Sequence, residues 1–198
     1  MVIDGGLARR LVDAQFPHWA GLPLAAVEPG GSDHVIFRLG EELAVRLPRH
    51  ADAGGQAERD EETRAAVAAL DGVFDGAAMT TLWEAALGAP AWGRPPVWVH
   101  GDFHTGNLLT VDGRLGAVID FGGLGLGDPA CDLTIAFTLL EAGTRTAFRT
   151  ALGVDEATWL RGRGWALATG LNAYTHYAAV NPRVAARTTR QITEALRG

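Results

Sequence analysis

The chain has 198 residues, 47% hydrophobic and 20% charged, a globular composition sufficient for one ordinary core or two small lobes. The formal charge of −6 argues against a nucleic-acid surface and is compatible with cationic small molecules, and every basic residue is Arg, with no Lys anywhere. A single cysteine, Cys131, excludes an intrachain disulfide and fits a reducing compartment; the opening MVIDGGLARRLVDAQF has no apolar leader core and no run is long enough to span a membrane, so a cytoplasmic protein without a membrane partner is expected.

Residues 3–16 read as an amphipathic helix, with Leu7, Leu11 and Phe16 near one face, Arg9 and Arg10 on another, and Pro17 stopping it. Residues 22–28, 34–39 (HVIFRL) and 43–47 (LAVRL) read as three strands of an antiparallel meander, turned at 29–33 (PGGSD) and at Gly40-Glu41-Glu42. Backbone N–H groups around Gly30, Gly31 and Ser32 can meet phosphates, although a glycine pair alone is only a turn signal. Residues 50–56 make a flexible joint, 57–70 a strong helix ended by Asp71-Gly72, and Asp75 caps another helix running to Leu87. Pro90, Pro95 and Pro96 mark a loop. Beyond the central stretch, residues 129–142, 144–152, 156–179 and 183–196 read as helices, with Gly162, Gly164 and Gly170 suited to close packing in the third and Pro182 at the start of the last.

The chemistry concentrates between Val97 and Leu133. Three short apolar runs, 97–99, 108–111 and 115–119, are separated by polar loops, and Asp112-Gly113 joins the last two as a hairpin. His100, Asp102, His104 and Asn107 follow the first run and Asp120 follows the third, so the returning hairpin can bring Asp120 beside Asn107. An amide and a carboxylate at one point are hard oxygen ligands suited to Mg²⁺, and Asp102 can serve as a base for a hydroxyl proton.

The run His100-Gly101-Asp102-x-His104-x-Gly106-Asn107, then Ile119-Asp120-Phe121-Gly122, then Gly127-Asp128-Pro129-x-x-Asp132, resembles the aminoglycoside phosphotransferase family, protein-kinase-like enzymes that phosphorylate small molecules. The resemblance implies an α+β, kinase-like fold: a reduced N-terminal β lobe (1–52) for the nucleotide and a mainly helical catalytic and substrate-binding lobe (53–198) with a catalytic hairpin. It implies Mg²⁺-dependent transfer of the γ-phosphoryl of ATP or GTP to a small-molecule hydroxyl. Asp102 corresponds to the base, Asn107 and Asp120 to the metal ligands, and Arg46, Gly30, Gly31 and Ser32 to the phosphate-binding strand and turn. Arg46 stands where the family has Lys; it keeps the charge and offers two donors in a wider fork. His100 is expected to brace the loop, His104 to hydrogen-bond within it, and Asp128 and Asp132 to cap and anchor the following helix.

The family's small-lobe helix, fourth and fifth strands and hinge have no counterpart between Leu47 and His100, so the chain resembles a member with an internal deletion joined near 50–57. The alternative places Glu58, Glu61 or Glu62 on the small-lobe helix, pairing with Arg46. Two other classes stay open: a metallohydrolase ligating through His100, Asp102 and His104, and an impaired pseudokinase that binds nucleotide poorly. Cys131, Trp98, Trp159 and Trp165 read as core, Asp33 and His34 as solvated. Tyr174, His176, Tyr177 and Asn181 lie where family members build the acceptor pocket, with helix packing as the competing role.

Overall fold

The computed structural model describes residues 4–27, 34–48 and 55–198, and the chain divides after Ala53 into two units. In the first, Asp4 caps helix α1 (Gly5–Gln15), its carboxylate accepting the Leu7 amide hydrogen at 2.8 Å. The helix buries Ala8 and Val12, with Leu11 partly covered. Phe16, expected on that face, is exposed and stacks on Trp19 at 4.7 Å, because Pro17 turns the chain at once into a single 3₁₀ turn. Strands β1 (Leu24–Ala26), β2 (His34–Leu39) and β3 (Leu43–Pro48) form an antiparallel sheet in sequence order. Alternation along β2 buries Phe37 and Leu39 and exposes Arg38, and Phe37, Leu47 and Ala8 make the small core. Gly30, Gly31, Ser32 and Asp33 lie outside the described residues, as does most of the joint at 50–56; the first strand is shorter than the 22–28 expected.

The second unit runs α2 (Gly55–Ala69), α3 (Gly76–Gly88), β4 (Val97–Val99), β5 (Leu108–Val111), β6 (Arg114–Val118), β7 (Gly125–Gly127), α4 (Thr134–Thr138), α5 (Ala142–Leu152), α6 (Glu156–Tyr177) and α7 (Pro182–Arg197). Its core gathers Leu82 of α3, Phe137 of α4, Leu167 and Leu171 of α6 and Ile192 of α7. Helix α2 joins this core through Ala66 and Val67, and its Asp60 accepts the Trp83 indole hydrogen at 2.8 Å. It is therefore a helix of the large unit, and Glu61 and Glu62 are exposed on it. Glycines on α6 let its neighbours approach: a Cβ on Gly162 would lie 2.7 Å from Leu133 Cβ, and one on Gly164 2.5 Å from Ala86 Cβ.

Three expectations change here. Residues 129–142, expected as one helix, form a 3₁₀ turn (Pro129–Leu133) and then the short α4, with Thr134 and Thr138 hydroxyls bonding back three residues to Cys131 and Ile135 carbonyls. Strand β7, a Gly-Leu-Gly of low strand propensity, pairs antiparallel with β4. Trp98 consequently faces outward opposite Leu126 and is 43% exposed, not core; Trp159 is buried, and Trp165 is half-buried beneath the Arg59 guanidinium at 4.2 Å. The β5–β6 hairpin takes the two-residue turn its Asp112-Gly113 demands, with φ of 50° and 75°.

Candidate active site

Strand β4 delivers His100 into a loop that Asp132 holds from the other side. Asp132 Oδ2 accepts the His100 amide hydrogen at 2.7 Å and Oδ1 accepts that of Gly101 at 2.9 Å. Of the two carboxylates expected to cap the following helix, only Asp128 does so, accepting from Ala130 at 2.9 Å while pairing with Arg161 at 2.6 Å. Asp132 instead fixes the backbone just before Asp102. Between them Cys131 is half-buried, and burial, with Asp132 and Asp128 alongside, pushes its thiol up to about 12, leaving it an inert space-filling group.

Gly101 sits at φ 79°, and a Cβ there would overlap the Gly123 carbonyl; one on Gly123 would lie 3.0 Å from the His100 carbonyl oxygen. The loops after β4 and β6 thus touch backbone to backbone. Buried His100 ties them together, its Nε2–H donating to the Ile119 carbonyl at 2.9 Å and its Nδ1 accepting from the Asp102 amide at 3.3 Å. Its ring lies 4.7 Å from Phe121 and 5.5 Å from Phe103. With both nitrogens engaged, His100 has no lone pair for a metal, which removes the three-ligand set a metallohydrolase needs.

Asp102 and Asn107 meet directly. The buried Asn107 amide donates to the Asp102 carbonyl at 2.8 Å and to its carboxylate Oδ2 at 3.1 Å. These two bonds engage the amide nitrogen and leave Asn107 Oδ1 without a hydrogen-bond partner among the described residues. The Asp102 side chain itself is 56% exposed. His104 begins the 3₁₀ turn 105–107 and accepts the Gly106 amide hydrogen on Nδ1 at 2.9 Å, which puts its ring hydrogen on Nε2, 3.6 Å from Asp102 Oδ1. That separation exceeds a hydrogen bond, so the effect is that of a polarised N–H facing a carboxylate through space. The Asp102 carboxyl is held below the usual carboxylate range, by His104 first, against its partial burial, and then by Asn107.

Asp120 follows Ile119, whose amide donates to the Asn107 carbonyl at 2.9 Å, so residues 107 and 120 stand together at the open end of the hairpin. Asp120 adopts the left-handed conformation (φ 60°, ψ 60°), which costs a non-glycine residue roughly 1 kcal/mol, and it is exposed. Among the described residues its carboxylate has no hydrogen-bond partner. One amide oxygen and one free carboxylate match the donor set of Mg²⁺, which keeps waters and takes phosphate oxygens. Backbone pairing sets Arg46 opposite Ile36 in the first unit; its side chain lies outside the described part, as do Gly30, Gly31 and Ser32 altogether.

Of the residues considered for an acceptor pocket, Asn181 caps α7 by accepting from Arg183 and Val184, Tyr174 packs edge-on against Phe74 at 5.2 Å, and His176 bonds the Asn172 carbonyl at 2.8 Å. These are helix-capping and packing roles; His176, Tyr177 and Asn181 are exposed, and Tyr177 lies 6.1 Å from the His176 ring.

A hairpin and the loop closed against it at Gly101 thus gather the Asp102 carboxylate, the Asn107 amide and the Asp120 carboxylate at one end of the β5–β6 pair. Residues 35–171 match the sequence model described as a phosphotransferase enzyme family, and the chain belongs to that family. Among solved structures, the apo form of a thermostable mutant of aminoglycoside phosphotransferase APH(4)-Ia is 24% identical, covering 70% of this chain and 52% of its own, with a TM-score of 0.41. The chain thus spans about half the length of that relative. The ternary complex of APH(2")-IIa with streptomycin and ATP is 12% identical (96% and 99% covered, TM-score 0.40), and a choline/ethanolamine kinase family protein from Mesorhizobium loti is 16% identical (98% and 99%, TM-score 0.37). A comparison with curated proteins gave no match. No helix among the described residues is long and apolar enough to cross a membrane.

The His104 contact carries a pH prediction. With Asp102 in the base role expected from the sequence, only the ionised carboxylate works, so a depressed carboxyl would carry activity to lower pH. Replacing His104 with Ala removes the first cause of that depression, so Asp102 protonates at higher pH and the acid limb of the kcat/KM profile moves upward. A pH–rate profile of both proteins checks this; superimposable acid limbs would separate His104 from Asp102.

Proposed function

We propose that the chain catalyses Mg²⁺-dependent transfer of the γ-phosphoryl group of ATP or GTP to a hydroxyl of a small molecule. The observation that supports this most is the joined set of Asp102, bonded to Asn107, and Asn107, tied through Ile119 to Asp120. Asn107 and Asp120 would hold Mg²⁺, which supplies charge neutralisation on the transferring phosphoryl. The remaining work falls to the chain's own groups. Asp102 accepts the acceptor's hydroxyl proton as the new O–P bond forms and the bond from Pγ to the β,γ-bridging oxygen breaks, releasing ADP or GDP. Asn107 pins the carboxylate from one side, and His104 keeps it ionised from the other. His100 and Asp132 fix the backbone that carries Asp102. Such positioning is the larger part of phosphotransfer catalysis. In this reading residues 1–52 bind the nucleotide, with Arg46, Gly30, Gly31 and Ser32 toward its phosphates, and residues 53–198 bind the acceptor.

One observation favours a second reading, an impaired member that binds nucleotide poorly. Residues 55–96 form α2, α3 and loops, with both helices belonging to the helical unit, where the family's hinge strand would cradle adenine. Phosphate contacts without a base pocket give weak, undiscriminating binding. The expected ATP affinity with Mg²⁺ is weaker than about 1 mM, or about −4 kcal/mol. Calorimetric titration with ATP and GTP, with and without Mg²⁺, tests it. Micromolar affinity with preference for one purine would mean that another segment, such as 88–96, serves as the hinge.

A further inference from the structure

Arg187, on α7, reaches the catalytic loop. A Cβ built on Gly106 would lie 2.7 Å from Arg187 Nη1 and 2.6 Å from His104 Cε1, so the guanidinium and the imidazole converge on one glycine beside Asp102. Arg187 is half-buried, yet among the described residues its guanidinium makes no hydrogen bond or ion pair. Other arginines of this unit are ion-paired: Arg145 with Glu194 at 2.6 Å, Arg161 with Asp128 at 2.6 Å, Arg149 with Glu156 at 2.5 Å. One turn earlier Arg183 occupies the same face of α7, also without a side-chain partner among the described residues. Like charges at i and i+4 repel, and a cation in the first turn of a helix opposes the dipole, so this face is unfavourable until an anion joins it. Gly106 is the residue that leaves room for the arginine; any side chain there would displace it.

We propose that Arg187 is an oxyanion-binding residue of the active site, holding either the transferring phosphoryl group or a carboxylate or phosphate carried by the acceptor next to its reacting hydroxyl. The proposal rests on the phosphotransfer reading of the site and extends it: the guanidinium supplies a planar, two-donor grip on oxygen anions. An acceptor with an acidic group would be drawn to this side of the loop, whereas a polycation would meet repulsion from Arg183 and Arg187.

The test uses the full chain and two substitutions, Arg187→Gln and Arg187→Lys, with inorganic phosphate as the probe. Calorimetric titration is expected to show phosphate binding that weakens about tenfold or more in Arg187→Gln, the scale of a lost charge-assisted contact, and returns in part in Arg187→Lys. No phosphate binding to the unsubstituted chain, or equal affinity in Arg187→Gln, overturns the proposal. A side chain that is half-exposed and unpaired is not needed for folding, and thermal melts of both variants confirm that the comparison is like for like. The second arm follows phosphotransfer from ATP with Mg²⁺ to a matched pair, glycerate and glycerol. A KM raised by Arg187→Gln for glycerate alone assigns the oxyanion to the acceptor; an equal fall in kcat for both assigns it to the transferring phosphoryl. Because the titration needs no turnover, the dependence of phosphate affinity on Arg187 is read whether or not either acceptor is phosphorylated, so failure of the anion site and failure of the kinase reading are distinguishable.

Discussion

Replacing Asp102 with Ala is expected to lower phosphotransfer by about 10²–10⁴-fold, the range a positioned general base contributes, while leaving the fold intact. The carboxylate is more than half exposed, and no packing depends on it. The Asn107 amide keeps its stronger-placed bond to the Asp102 backbone carbonyl at 2.8 Å, so the loop retains its tie when the carboxylate is gone. His100 likewise bonds the backbone amide of residue 102, which Ala preserves. Turnover measured beside a circular dichroism melt checks this; an unshifted melt with retained turnover would remove Asp102 from the base role.

The Gly101→Ala substitution is expected to damage both stability and activity. The position sits at φ 79°, where an L side chain is strained by about 1–3 kcal/mol, and its Cβ would drive into the Gly123 carbonyl. Relief requires the two loops to part. Parting them loosens the paired bonds from His100 and Gly101 to Asp132 and the His100 bridge to Ile119, and with them the placement of Asp102 against Asn107 and Asp120. A loss of rate of about 10²-fold follows from misplacement of the reacting groups on the ångström scale. A lowered melting temperature together with lost turnover is the expected pair of results; a variant unchanged in both would show that the loops do not need this contact.

What could be read from the residues was local. Asp112-Gly113 dictated its hairpin, because only that turn type matches two residues at positive φ between twisted strands. Asp75 announced a helix start and accepts from Ala78 at 2.9 Å as such a cap does. The hairpin also foretold that Asn107 and Asp120 would share one end of it. The misses depended on distant partners. Nothing within Asp128–Asp132 says that one carboxylate caps its own turn while the other reaches the His100 loop, because the choice is made by where β4 ends. Strand β7 exists because β4 offers it an edge, not because Gly-Leu-Gly favours extension. Phe16 follows helical spacing but meets Pro17, and the turn carries it away from the buried face. Arg187 gave no local signal, lying on a helix 81 residues beyond the glycine it adjoins.

The central claim, phosphoryl transfer at the end of the β5–β6 hairpin, is tested most directly by ³¹P NMR of the purified chain with ATP or GTP, Mg²⁺ and a panel of small alcohols, run beside Asp120→Ala. Asp120 is exposed and unpaired among the described residues, so its replacement spares the fold while removing the free carboxylate. The predicted result is a new phosphate ester resonance that requires Mg²⁺ and disappears in Asp120→Ala. An ester formed equally well by Asp120→Ala, or none from any acceptor at millimolar nucleotide, would contradict it.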